Sequence, residues 1–175
     1  MHKKLNFLSK PGMALAIVIV IVLAGSCTVK YSFSGANTGK LRTLNIQRFQ
    51  NKANLVQPGV SNQLTNSLID KCKAQTKLNI VNGSADAVFE GDILEYNTKP
   101  LTVGGDSRAA MARFTIKVRV KFTNTLEPEN SFEQTFTKYK DYEGTQDLSS
   151  VESSLVDTII DLLVEDIFNE AFAKW

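Results

Sequence analysis

Cys27 follows Leu23-Ala24-Gly25-Ser26, and a cysteine in that setting has a specific chemistry: its thiol is acylated and it becomes the new N-terminus. Upstream stand Lys3, Lys4 and Lys10, then an apolar run over residues 13–24. A positive start, a short apolar middle and small residues at the cut describe a secretory signal, and the cysteine makes it a lipoprotein signal. The apolar run has about 12 residues, whereas a bilayer span needs roughly 20.

A second set of residues is placed to bind. Arg113, Lys117, Arg119 and Lys121 alternate with Phe114, Ile116, Val118, Val120 and Phe122. In a strand that alternation puts the apolar set on one face and the cations on the other, within roughly 27 Å at about 3.4 Å per residue. Phosphate or carboxylate groups of an anionic lipid headgroup suit such a row, arginine through paired hydrogen bonds. Glu133 and Asp141 on a neighbouring strand offer the opposing outcome, cross-strand neutralisation.

Catalytic constellations are not found. The sole histidine, His2, lies in the signal segment, which removes histidine-based nucleophile activation and the commonest metal ligand. Cys72 reads as a buried small hydrophobe on a helix. Gly104-Gly105 lacks the lysine and hydroxyl pair of a phosphate loop. Asp157, Asp161 and Glu165 share a helical face, which reads as a solvated stripe. The chain is expected to be no enzyme and to use no metal or cofactor.

Charge and length bound the partners. The whole chain carries 20 basic and 18 acidic residues. From Cys27 onward, 149 residues hold 17 basic and 18 acidic ones, a balance that gives no support for nucleic-acid binding. The sign is uneven: residues 127–170 hold twelve acidic residues against Lys138 and Lys140. Thr28 stands where an inner-membrane lipoprotein of enteric bacteria carries aspartate, so the expected place is the outer membrane, facing the periplasm.

The elements that must position these residues follow from periodicity. Residues 41–49 alternate as a first strand. Pro58 suits a first helical turn, and Val60, Leu64, Leu68 and Cys72 follow at spacing four. Residues 78–81 begin a strand, Asn82-Gly83 signals a hairpin, and residues 85–96 return. Residues 99–109 read as a loop, 113–122 as the clearest strand, 127–130 as a turn and 132–142 as its partner strand. A helix over residues 148–173 opens on a capping box, Ser149 with Glu152, and presents Leu155, Ile159, Leu162, Leu163, Ile167 and Phe172 to the core.

The expected fold is α+β: a two-layer sandwich with two amphipathic helices on one face of a mainly antiparallel four- to five-stranded sheet. The expected organisation is a signal peptide over 1–26, the lipidated Cys27 with a short tether over 27–39, and one domain over 40–175.

Several segments, in order, resemble a known family. Cys27 is followed by Tyr31-Ser-Phe-Ser-Gly-Ala36, Leu55-Val-Gln-Pro58, Phe89-Glu-Gly-Asp-Ile-Leu-Glu-Tyr96, Phe122-Thr-Asn-Thr125, Ser131-Phe-Glu-Gln-Thr-Phe136 and Val164-Glu-Asp-Ile-Phe-Asn169. Together they resemble the Bacteroidota branch of the lipopolysaccharide-assembly lipoprotein LptE. The resemblance implies two helices on a β-sheet and a plug inside the outer-membrane barrel LptD, whose folding it assists. It also implies contact with lipopolysaccharide and a membrane anchor through N-terminal acyl chains. The competing reading is a lipoprotein that reaches inward to regulate a cell-wall synthase. That reading calls for a long tether, whereas about 13 residues separate Cys27 from the first strand.

Overall fold

The computed structural model describes residues 36–55, 57–101 and 111–173, all within one compact unit, Ser34–Trp175. The expected signal peptide, Cys27 and most of the tether lie outside the described residues.

The elements in chain order are β1 (Thr43–Ile46), β2 (Gln50–Asn51), α1 (Val60–Gln75), β3 (Asn79–Ile80), β4 (Ala87–Leu101), β5 (Met111–Asn124), β6 (Phe132–Glu143) and α2 (Leu148–Phe172). The sheet order is β3-β1-β4-β5-β6, with β2 also pairing β4. The two-layer α+β architecture therefore holds, but the sheet corrects the expectation in two respects: it has six strands and it is mixed. β1 is parallel to both β3 and β4, and β2 is parallel to β4, whereas β4-β5-β6 is antiparallel.

The physical reason lies in α1. A helix between β1 and β3 carries the chain back across one face, so the two strands end up parallel. Leu44 is then flanked by Ile80 on one side and Ala87 on the other. Asn82-Gly83 consequently closes no hairpin. Gly83 does adopt a positive φ of 98°, and its carbonyl accepts a bond from Asn45 Nδ2 at 2.7 Å. The chain there crosses over β1 instead of doubling back. Asp86 completes the crossing by accepting from the backbone N–H groups of Arg42 and Thr43, both at 2.9 Å.

Both helices cover the same sheet face, α1 over β1 and β3, α2 over β5 and β6. The core holds Leu44, Phe89, Ile93, Phe114, Ile116, Val118, Val120 and Phe122 from the strands. Leu64, Leu68 and Cys72 come from α1, and Ile159, Leu163, Ile167 and Phe172 from α2. Phe172 meets Phe89 and Phe122 edge-on at 6.1 and 5.7 Å between centroids. Cys72 is fully buried, as its helical spacing predicts, and burial pushes its thiol up to about 12.

Gln63 Nε2 donates to Asp157 Oδ1 at 2.5 Å, and Lys71 pairs with Glu165. Both contacts span the same 94 residues, so the helices run side by side in the same direction. Two members of the acidic stripe thus join the helices. Leu162, expected in the core, is 44 % exposed. The cap of α2 also differs from expectation. Asp147 is the N-cap and accepts from Ser149 N, while Glu152 accepts from the Tyr96 hydroxyl at 2.6 Å. The Asp147 side chain satisfies one of the otherwise unpaired N–H groups of the first turn, and Glu152 instead serves the hydroxyl of Tyr96, a residue only 5 % exposed.

Candidate functional site

The sheet face opposite the helices carries the candidate residues. β5 alternates as predicted: Phe114, Ile116, Val118, Val120 and Phe122 are buried beneath the helices. Arg113, Lys117, Arg119 and Lys121 occupy the intervening positions of the same strand and so stand on the other face. All four predicted residues are therefore brought together in one row.

Each of them meets a carboxylate. Arg113 makes two bonds to Asp141, Nε to Oδ1 at 2.7 Å and Nη2 to Oδ2 at 3.0 Å, and lies 3.7 Å from the centre of the Tyr139 ring. Lys117 reaches Glu95 at 2.8 Å. Arg119 pairs with Asp92 and lies 3.9 Å from Glu133. Lys121 lies 3.4 Å from Glu90. Lys52 adds a second cation to Asp92 at 2.9 Å, and Lys99 one to Glu95 at 3.3 Å. The face is a basic strand between two acidic ones.

Asp141 and Glu133 were legible as partners. The sequence also carries a readable signal for Glu90 and Asp92 on β4, which alternate with Phe89 and Ile93. Glu95 has no such signal, because it shares the parity of Phe89 and Ile93. The pairing register shifts between Ile93 and Glu95, leaving Leu94 as an extra residue. A bulge of this kind turns the following side chains to the other face. Glu95 consequently faces Lys117, and Tyr96 enters the core against Phe114 at 4.8 Å.

The electrostatics follow from these contacts. Lys117, against the opposing effect of burial and helped by Asn97 and Lys99, holds the Glu95 carboxyl down at about 2. At Asp92 burial raises the carboxyl, but Lys52 and Arg119 outweigh it and hold it below its usual range. The hydrogen bond from Arg113 likewise lowers Asp141.

At one end of the row a cavity of about 380 Å³ is lined by Arg48, Arg119, Lys121, Glu90, Asp92 and Glu133. Arg48 comes from the link between β1 and β2, and the sequence offered no reason to place it there. It forms no ion pair among the described residues. An anion entering here would meet three cations but would compete with three carboxylates. Among the described residues no group of histidine, cysteine, aspartate and glutamate side chains is placed to hold a metal ion. No helix among them is long and apolar enough to cross a membrane.

A family model described as lipopolysaccharide-assembly, LptE, matches residues 41–171. The chain belongs to the LptE family. That family consists of non-enzymatic lipoproteins of the outer membrane that act in lipopolysaccharide assembly, and membership gives this LptE-family chain a role in that process. No match to a curated protein was found by sequence.

Solved structures agree on the fold of the LptE-family domain. A minor lipoprotein from Acinetobacter baumannii superposes with a TM-score of 0.50 at 16% identity, covering 74% of this chain and 91% of that one. Protein CT253 from Chlamydia trachomatis gives a TM-score of 0.51 at 9% identity, covering 77% and 99%. Protein XCC0632 from Xanthomonas campestris gives 0.51 at 15% identity, covering 73% and 82%.

Proposed function

We infer that this protein plugs and helps assemble an LptD-type outer-membrane β-barrel and takes part in moving lipopolysaccharide to the cell surface. The family match over residues 41–171 carries the reading. The surface supports it. Large outer-membrane barrels have polar interiors, and a plug must present polar, charge-compensated surface to such a wall. The row of Arg113, Lys117, Arg119 and Lys121, interleaved with Glu90, Asp92, Glu95, Glu133 and Asp141, is a surface of that kind.

In this reading Cys27 is acylated and holds the domain at the periplasmic side of the outer membrane. Two or more acyl chains suffice for stable anchoring, since each buried methylene contributes roughly 0.8 kcal/mol. The four strand cations contact the phosphates of the lipid, arginine in bidentate fashion. No catalytic step, cofactor or nucleic acid is involved.

Pull-down from solubilised outer membranes tests the reading. It should recover the protein bound to a very large β-barrel, and depletion should leave precursor lipopolysaccharide on the periplasmic side. Recovery with a cell-wall synthase, together with normal surface display, overturns it.

A further inference from the structure

Arg48 is an unneutralised cation at the end of the basic row. Its exposed side chain forms no ion pair and no hydrogen bond among the described residues, although it lines the cavity of about 380 Å³ alongside Glu90, Asp92 and Glu133. Its backbone is fixed all the same. Gln47 N–H donates to the Phe89 carbonyl at 2.9 Å, and Phe49 N–H donates to Thr65 Oγ1 at 3.2 Å. The Phe49 carbonyl accepts from the Ser61 hydroxyl, and the Phe49 ring is fully buried. A guanidinium carried between two pinned residues is held at the cavity before any ligand arrives.

The other two cations of the cavity differ in what they would leave behind. Lys121 is the ion-pair partner of Glu90, at 3.4 Å, and Glu90 has no second cation among the described residues. Arg119 pairs with Asp92, but Asp92 also holds Lys52 at 2.9 Å. If Arg119 turns to an anion, Asp92, whose side chain is only 13 % exposed, keeps a cation. Glu133, 3.9 Å from Arg119, has a side chain 57 % exposed, so water makes good its loss. The penalty of leaving a poorly hydrated carboxylate unpaired is thereby avoided at Arg119.

We propose that Arg48 and Arg119 together hold one phosphate group in this cavity, and that Lys52 is the positioning residue that frees Arg119 by staying with Asp92. Two guanidinium groups offer paired N–H donors to phosphate oxygens, a geometry that lysine lacks. The group is the phosphate monoester of a lipid headgroup or free phosphate, which share that chemistry. The site rests on the lipid-phosphate reading of the row, narrowed to two residues, and needs no barrel.

Calorimetric titration of the full chain in non-ionic detergent tests the site, with inorganic phosphate in one arm and a short-chain phosphatidate below its micelle concentration in the other. Saturable binding is expected in at least one arm. Arg48→Gln should weaken it by about tenfold, roughly the loss of one charge-assisted contact. Lys73→Gln, the same change of charge at an exposed position of α1, should not. Lys52→Gln should weaken it as well, Lys52→Arg should restore it, and Asp92→Asn should make Lys52 dispensable. A merely structural Lys52 would show no such rescue by Asp92→Asn. Binding in the phosphate arm alone assigns free phosphate, and in the phosphatidate arm alone a headgroup; either sustains the site. Binding in neither arm overturns it, as does an Arg48→Gln affinity equal to that of the unchanged chain. Arg48→Gln should still be recovered with a large barrel, so failure of this site and failure of the barrel reading are separate observations.

Discussion

Glu95 and Lys117 meet at 2.8 Å because β4 holds one residue more than β5 between Ile93 and Glu95. That extra residue, Leu94, divides the strand into two stretches of opposite parity. Before it, odd-numbered side chains face the core; after it, even-numbered ones do. The charged outer face is continuous along β4 only because of this shift.

Glu95 makes the stability of the domain dependent on acid. Its folded carboxyl titrates at about 2 against 4.5 when unperturbed. A lowered folded value means the contribution is fully present above pH 4.5 and is lost as pH falls towards 2. Thermal melts between those values should therefore show a falling midpoint. Glu95→Gln should flatten that part of the profile and lower the midpoint at pH 7.

Gly91 sits where no side chain fits. A Cβ there would stand 2.5 Å from the Arg119 carbonyl oxygen and 2.5 Å from Cε1 of the Phe49 ring. The backbone oxygen belongs to the central ladder and cannot move aside. Gly91→Ala should destabilise the domain by about 1–3 kcal/mol, the usual range for overpacking, as measured by urea unfolding.

Asp86 links the parallel part of the sheet to its antiparallel part. It accepts from Arg42 N and Thr43 N, and its own N–H donates to Thr43 Oγ1 at 2.9 Å. Those backbone bonds, first among the causes, hold its carboxyl below the usual range. Asp86→Ala should lower the melting midpoint at pH 7 and speed amide exchange at Arg42 and Thr43. Amide exchange unchanged at both residues would count against the linkage.

The strand cations can be tested without unfolding the sheet. Arg119 lies between Asp92 and Glu133, so reversing its charge would gather three carboxylates. Arg119→Gln with Lys121→Gln removes the positive end of the row more gently, because Lys121 stands between Glu90 and Glu133. In-cell crosslinking to lipopolysaccharide should fall about tenfold, roughly the loss of one or two charge-assisted contacts, while the melting midpoint shifts little. Undiminished crosslinking would remove these residues from the lipid path.

How far these features were readable from the sequence differs residue by residue. The buried row Phe114 to Phe122 and its charged opposite were legible, because a period of two survives in any strand whose register is uninterrupted. Cys72 and the apolar stripe of α1 were legible for the corresponding reason at a period near four. Leu162 was misplaced because α2 is apolar over much of its circumference, and periodicity there does not say where the neighbouring elements end.

Local pattern thus determined the two helices, the long strands and the cationic row. Tertiary structure alone decided that β1 lies between β3 and β4 and that Asn82-Gly83 leads a crossing. It also decided that Glu95 faces out and that Arg48 reaches the cavity of Arg119 and Lys121. The reason is common to all four. Strand order, bulges and long-range ion pairs depend on residues tens of positions apart, and no local periodicity records which of them will meet.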